Sequence, residues 1–132
     1  MITKTFDFSA DPFDLFCLFR EEKNVFFLDS SLAAGANGRY SFIGFDPFYI
    51  AQGTTAASFA HFKKEFRQFA GPQAPGRPLT SGAVGYLSYD LGLEFQGLKS
   101  RQPSGGTAPL FHFGFYDVIL AVDHLEKKLY VT

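Results

Sequence analysis

The spacing of the phenylalanines constrains the fold of this chain more than any other feature of its sequence. Between residues 56 and 70 they recur at intervals of three, four and three residues, at Phe59, Phe62, Phe66 and Phe69. That period places them on one face of a helix and leaves lysine, arginine and glutamine for the other face. At Phe111, Phe113 and Phe115 they alternate instead, which is typical of a strand with one buried face. The sequence therefore predicts an amphipathic, half-buried helix over about 56 to 70 and a later strand with its phenylalanines on one face.

Caps and short apolar runs predict the remaining elements. Asp11, followed by Pro12 and by Asp14 in the first turn, predicts a short helix over about 11 to 20 that is apolar nearly all round. Strands are predicted at 25–28, 40–45, 48–51, 82–89 and 112–122, with a polar turn at 124–128 and a return strand from 129 to 131. The links are short, which favours antiparallel pairing. The predicted fold class is α+β, mainly antiparallel sheets packed with two helices, in one domain of 132 residues.

Composition excludes several classes of function. Charged residues make up 19% of the chain and the net charge is −1, so there is no basic field for nucleic acid or for an anionic membrane. No segment reaches the roughly 18 apolar residues of a spanning helix. Cys17 is the lone cysteine and is predicted to be a core residue of the first helix, which favours a reducing compartment. We expect a soluble, cytoplasmic chain whose 18 Phe and 6 Tyr either form its own core or need cover from outside it.

No set of residues in the sequence makes a self-sufficient active site. The chain has three histidines, His61, His112 and His124, which are far apart in the sequence, and a single cysteine, which argues against a zinc site. A G-x-S-x-G nucleophile elbow does not occur. Asp117 and Asp123 fall on one face of the predicted strand 112–122 and just after it, but about 20 Å apart, too far for a catalytic pair. The sequence therefore predicts no catalytic residue and no metal ligand.

Three stretches in order carry a resemblance to a known family. They are FLDSSLAAGANGRYSFIG at 27–44, GAVGYLSYDLGLEF at 82–95 and PLFHFGFYDVILAVDHLEKKLYV at 109–131. Together they resemble the N-terminal region of component I of anthranilate synthase and of aminodeoxychorismate synthase, over about residues 24 to 131. The segments YDLG at 89–92 and GFYDVILAVDH at 114–124 are more similar to the aminodeoxychorismate (para-aminobenzoate) synthase of folate biosynthesis. The anthranilate synthase of tryptophan biosynthesis is the alternative.

The resemblance implies an enzyme that takes chorismate and ammonia, the ammonia coming from a glutamine amidotransferase partner. In such enzymes the C-terminal part binds chorismate and Mg²⁺, and the residues that do so have no counterpart here. We therefore expect residues 1–132 to be an N-terminal domain, cut within its return strand near Thr132, that carries no cofactor and is not catalytic by itself.

The resemblance also implies one wall of a tryptophan pocket. Its members are Asp29, Ser30, Arg39 and Tyr40. A serine hydroxyl can meet the amino acid's charged groups, and the face of Tyr40 can stack on an indole. Asp29 stands where the anthranilate members usually have glutamate. A purely structural alternative has Ser30 capping a strand end, Arg39 solvated and Tyr40 in the core.

A different class of function is a stand-alone binding domain whose aromatic surface docks a protein or an apolar ligand. A complete sheet at the C-terminal hairpin, together with no exposed apolar face, would favour that alternative. An exposed apolar face would favour the domain of a larger synthase.

Overall fold

The chain folds into two antiparallel sheets with helices packed against them. The computed structural model describes residues 3–30, 38–69, 78–79, 81–98 and 108–132. In these ranges the elements are β1 (Lys4–Asp7), α1 (Pro12–Cys17), β2 (Phe26–Leu28), β3 (Tyr40–Gly44), β4 (Tyr49–Gly53), α2 (Ala56–Phe69), β5 (Gly82–Leu87), α3 (Tyr89–Phe95), β6 (Phe111–Tyr116), β7 (Ile119–Asp123) and β8 (Lys128–Val131). One sheet has the strand order β1-β8-β7-β3-β2 and the other β4-β6-β5, and every pair is antiparallel. The predicted α+β class is confirmed.

Helix α2 packs its phenylalanine face on β6. The ring of Phe62 lies 5.3 Å from that of Phe111 and 4.9 Å from that of Phe113, between ring centroids. Thr55 and Ser58 begin the helix with reciprocal bonds, since each side chain accepts from the other's backbone N–H. The contacts bury Phe62, Phe111 and Phe115 with Ala51 and Leu91 in one apolar cluster.

The prediction of one strand over 112–122 is wrong. The chain breaks at Asp117 and Val118, both exposed, and passes from one sheet to the other. All five residues of β7 are buried, so this strand needs neighbours and cover on both sides and lies in the middle of the five-stranded sheet. The premise that Asp117 and Asp123 share one strand therefore fails, because Asp123 ends β7 and is buried.

Two elements were not predicted. Residues 82–89 do not form one strand, because β5 ends at Leu87 and Ser88 caps the third helix, α3, by accepting from the Leu91 N–H at 3.3 Å. Gly97, at φ +67°, closes α3: its own N–H bonds to the Glu94 carbonyl and the Leu98 N–H to the Leu93 carbonyl. The second element that was not predicted is strand β1. It pairs with β8, which therefore has β7 on one side and β1 on the other.

Helix α1 is shorter than predicted. Asp11 caps it by accepting from the Phe13 N–H at 2.8 Å, but the helix ends at Cys17, which is half-buried rather than a core residue. The apolar side chains of this segment are only partly covered: Phe16 stacks on Phe27 at 5.1 Å, while the side chain of Leu18 is exposed. The strands predicted at 25–28, 40–45 and 48–51 match β2, β3 and β4 to within two residues.

Candidate functional site

The four predicted pocket residues lie at one end of the five-stranded sheet. Asp29 and Ser30 directly follow β2, and Arg39 and Tyr40 lie at the start of β3. Because Leu28 pairs with Phe42 in an antiparallel register, the residues after β2 lie beside the residues that begin β3. Residues 31–37 of the connection lie outside the described residues. The sheet thus brings all four residues into one neighbourhood.

Ser41, which the sequence analysis assigned no role, is the centre of this end of the sheet. Its side chain is fully buried, and its hydroxyl donates to the Asp29 carboxylate with Oγ and Oδ1 2.7 Å apart. The Ser41 Oγ accepts from the backbone N–H of Ser30 at 3.2 Å and lies 2.7 Å from Nε2 of His124. His124 follows β7, and its backbone N–H donates to the backbone carbonyl of Arg39 at 2.8 Å. The signal in the sequence that could have identified Ser41 is a lone serine in the otherwise apolar strand segment YSFIG, because a buried hydroxyl needs hydrogen-bond partners.

The proton positions in this cluster follow from the partners. A carboxylate only accepts, so the Ser41 proton points at Asp29. The two lone pairs of Ser41 Oγ then accept from the Ser30 N–H and from Nε2–H of His124. In a serine nucleophile the hydroxyl proton goes to histidine and the histidine is held by the carboxylate. Here serine lies between the other two, so Asp29, Ser41 and His124 orient one another and do not activate a nucleophile.

Arg39 is ion-paired, not free in solvent as the structural alternative assumed. Its Nε and Nη2 donate to Oδ2 of Asp123 at 3.0 and 2.7 Å, and Nη2 also donates to Glu126 at 3.0 Å. Burial raises the pKa of Asp123, but the bonds from Arg39 and from the N–H groups of Glu126 and Leu125 outweigh it and hold that pKa below its usual value. The hydrogen bond to Asp123 raises the pKa of Arg39.

Tyr40 presents an aromatic face held between two neighbours. The guanidinium carbon of Arg39 lies 5.0 Å from its ring centroid, and the ring of Phe42 lies 6.0 Å away on the same side of the strand. Burial raises the pKa of the Tyr40 phenol, so the hydroxyl stays protonated at neutral pH. Tyr40 is half-buried, and Asp29 is exposed. The arrangement therefore offers a fixed, neutral aromatic ring at the end of the sheet where Asp29 and Ser30 follow β2.

The described residues do not form a metal site. In those ranges no three His, Cys, Asp or Glu side chains converge closely enough to hold an ion. A pocket of about 200 Å³ lies between β4 and α2, where the Tyr49 hydroxyl donates to Glu65 at 2.8 Å, and it is lined by none of the four predicted residues. Among the described residues, no helix has the length and hydropathy to span a membrane.

Comparison with known proteins matches most of the chain to one family. Residues 22–132 match the family model described as chorismate binding enzyme. Anthranilate synthase component 1 of Acetivibrio thermocellus is 28% identical over 99% of this chain and 31% of its own length. The same enzyme of Methanothermobacter thermautotrophicus is 30% identical over 89% of this chain and 28% of its own length. Aminodeoxychorismate synthase component 1 of Klebsiella aerogenes is 36% identical over 42% of this chain and 12% of its own length.

These matches identify the family and show how much of each relative the chain covers. The chain spans under a third of the length of the curated relatives it matches. The range 22–132 that the family model matches includes the stretches 27–44, 82–95 and 109–131 that carried the resemblance. In the fold those stretches hold β2 and β3, β5 and α3, and β6 to β8, which include strands of both sheets. The chain belongs to the chorismate-binding enzyme family.

Proposed function

We propose that this chain is the N-terminal portion of a synthase that aminates chorismate. The observation that carries the proposal is the family match over residues 22–132, with relatives named as component 1 of such synthases. Chorismate, Mg²⁺ and the reacting groups belong to a further portion, which relatives of this chain have the length to contain. A glutamine amidotransferase partner supplies the ammonia in this proposal.

Exposed apolar side chains support the proposal that the chain packs against a further portion. They run from the end of β5 through α3: Tyr86, Leu87, Tyr89, Phe95 and Leu98 are 44% to 85% exposed. Single exposed apolar residues are ordinary, but a run of them is typical of a surface that another structure covers. Strand β8 of the C-terminal hairpin is paired on both sides, with β7 and with β1, but these apolar side chains are still exposed. Their exposure favours a portion of a larger synthase over a stand-alone domain.

The choice between the two synthases is a second step. The relatives that match more than four-fifths of the chain carry the name anthranilate synthase component 1, which favours that activity. The segments 89–92 and 114–124 and the 36% identity over 55 residues to aminodeoxychorismate synthase favour the other. Both enzymes begin from chorismate, and their products differ.

Product analysis tests the proposed synthase. The 132-residue chain, given chorismate, ammonia and Mg²⁺, is expected to release no product. The complete polypeptide that contains it is expected to release anthranilate or aminodeoxychorismate, which chromatography separates. Turnover by the 132-residue chain alone would contradict the proposal, because its described residues hold neither a metal cluster nor an oriented nucleophile.

At the sheet end, we assign Asp29, Ser30, Arg39 and Tyr40 to one wall of a tryptophan pocket. The carboxylate of Asp29 suits the ligand's ammonium group, the Ser30 hydroxyl its charged groups, and the Tyr40 ring its indole. Arg39 acts by holding that ring through its stacked guanidinium, since Asp123 and Glu126 accept its Nε and Nη2 bonds. With the opposite wall on another portion, affinity of this chain for tryptophan is weak.

Amide chemical shifts measured during titration with L-tryptophan test the pocket. Millimolar ligand is expected to move the resonances of Asp29, Ser30 and Tyr40, and Asp29→Asn is expected to weaken the effect. Asp117→Asn, which neutralises an exposed carboxylate in the break between the sheets, is the matched control and is expected to titrate as the wild type does. Shifts confined to other parts of the chain would contradict the assignment.

A further inference from the structure

Two residues outside the proposed pocket wall hold the segment that carries its carboxylate. Strand β2 ends at Leu28, so no ladder pair of the described sheet fixes Asp29 and Ser30. Among the described residues, what reaches them is the Ser41 side chain, which donates to Asp29 and accepts from the Ser30 N–H. Their position therefore depends on how the Ser41 hydroxyl is turned.

His124 supplies the second donor to that hydroxyl. A hydroxyl can rotate about its Cβ–Oγ bond and donate to any acceptor within reach. With Nε2–H of His124 donating at 2.7 Å and the Ser30 N–H at 3.2 Å, both lone pairs of Ser41 are in use and its proton is left for Asp29. His124 is itself fixed by its N–H bond to the Arg39 carbonyl, one position beyond the last β3–β7 pair.

We propose that Ser41 and His124 are positioning residues, which lock the Asp29–Ser30 segment and leave the second carboxylate oxygen of Asp29 to meet a primary ammonium group. The ligand part of this inference rests on the proposed tryptophan pocket. Asp29 is exposed, and in the described ranges its carboxylate accepts one hydrogen bond, from Ser41. A bond that merely stabilised the core would not need to end on an exposed carboxylate, because the water it replaces is an equally good partner.

Substitutions at His124 test this role. His124→Leu removes the donor and keeps an apolar side chain, while His124→Gln returns an N–H donor on a flexible side chain. We expect His124→Leu to lower the amide order parameters of Asp29 and Ser30 and to speed hydrogen exchange at the Ser30 N–H. Histidine nitrogen resonances of the wild type are expected to show the proton on Nε2. His124→Gln is expected to recover most of the order. Ser41→Ala is expected to act as His124→Leu does and checks that the effect passes through the hydroxyl.

The tryptophan titration separates this inference from the proposed function. If the pocket exists, His124→Leu weakens binding about fivefold, the loss expected for one hydrogen bond, and His124→Gln binds within about twofold of the wild type. If the wild type does not bind tryptophan, the pocket fails, and the order parameters still decide the positioning role. Unchanged order at Asp29 and Ser30 in His124→Leu, or equal loss in His124→Gln and His124→Leu, would overturn the proposal.

Discussion

The buried carboxylate of Asp123 is expected to be worth far more to stability than the neighbouring Glu126, although both accept from Arg39. Asp123 has a fully buried side chain and accepts four hydrogen bonds: two from Arg39 at Oδ2, and the N–H groups of Leu125 and Glu126 at Oδ1. Asp123→Asn keeps an acceptor for the two N–H groups but turns an amide donor toward Arg39. Hydrogen bonds to charged groups are worth about 1.5 to 3 kcal/mol each, and these two share one oxygen. We therefore expect Asp123→Asn to lower the free energy of unfolding by about 2 to 3 kcal/mol.

Urea denaturation at pH 7 measures this cost, with Glu126→Gln as the control. The Glu126 side chain is 47% exposed, so its pair with Arg39 is worth less than about 1 kcal/mol. Asp123→Ala also removes the acceptor for the two turn N–H groups and is expected to cost about 1 kcal/mol more than Asp123→Asn. If Asp123→Asn and Glu126→Gln destabilised the chain equally, the carboxylate would be behaving as a solvated surface charge, and the reasoning from burial would be refuted.

The pH dependence of the same difference has a definite sign. Because folding lowers the pKa of Asp123, the folded state favours the ionised form, and its contribution is complete above the unfolded pKa. The contribution disappears as pH falls through the folded pKa. The gap in unfolding free energy between wild type and Asp123→Asn should be constant from about pH 6 to 8 and narrow below about pH 4. A gap that widened on acidification would mean that the carboxyl is protonated in the fold.

Two further pairs of variants test the packing and the third helix. Phe62→Ala removes a ring that is 7% exposed and should cost about 3 to 5 kcal/mol in a urea titration, whereas Phe66→Ala, on the same face but 45% exposed, should cost about half as much; equal costs would contradict the packing of α2 on β6. Gly97→Ala places a side chain at φ +67° and should lower the free energy of unfolding, followed by thermal melting, by about 1 to 2 kcal/mol. Gly92→Ala, within α3 and with no atom near its added Cβ, should raise that free energy by about 0.5 to 1 kcal/mol. The reverse order would exclude the observed end of α3.

The elements that the sequence predicted well are those with a long, regular pattern. Helix α2 has four phenylalanines at helical spacing, and α2 was placed to within one residue of its end. Helix α3 was not predicted because its seven residues, YDLGLEF, continue the apolar composition of β5 and are too few to show a helical period. The signals that mark it are its caps, Ser88 before the first residue and Gly97 after the last turn. Strand β1 has four exposed residues, so it carries no pattern of burial and depends on the edge of β8.

The break between β6 and β7 was hidden for a different reason. No residue of β6 or β7 is exposed, so the two strands read as one apolar run, and a single aspartate between them does not end the pattern. The chain changes sheet at Asp117 because β6 pairs with β4 and β5, whereas β7 pairs with β3 and β8. Most of these partner strands are far away in the sequence. Local sequence carries no record of it.

The candidate site shows the same division between local and distant information. The hairpin-like pairing of β2 with β3 follows from short-range order and brings Asp29 and Ser30 beside Tyr40. Ser41 and His124, by contrast, are 83 residues apart and meet because β7 lies between β3 and β8 in the sheet. Consecutive residues at the end of β7 then serve two separate networks: Asp123 pairs with Arg39 and closes the turn, while His124 reaches Ser41. Because the backbone of His124 is held by Arg39 and its ring by Ser41, loss of the ring leaves the ladder intact. A His124 variant should therefore lower the order of the proposed pocket wall at little cost in unfolding free energy. An Asp123 variant should lower the unfolding free energy and leave the order at Asp29 unchanged, so that the two measurements report on different side chains.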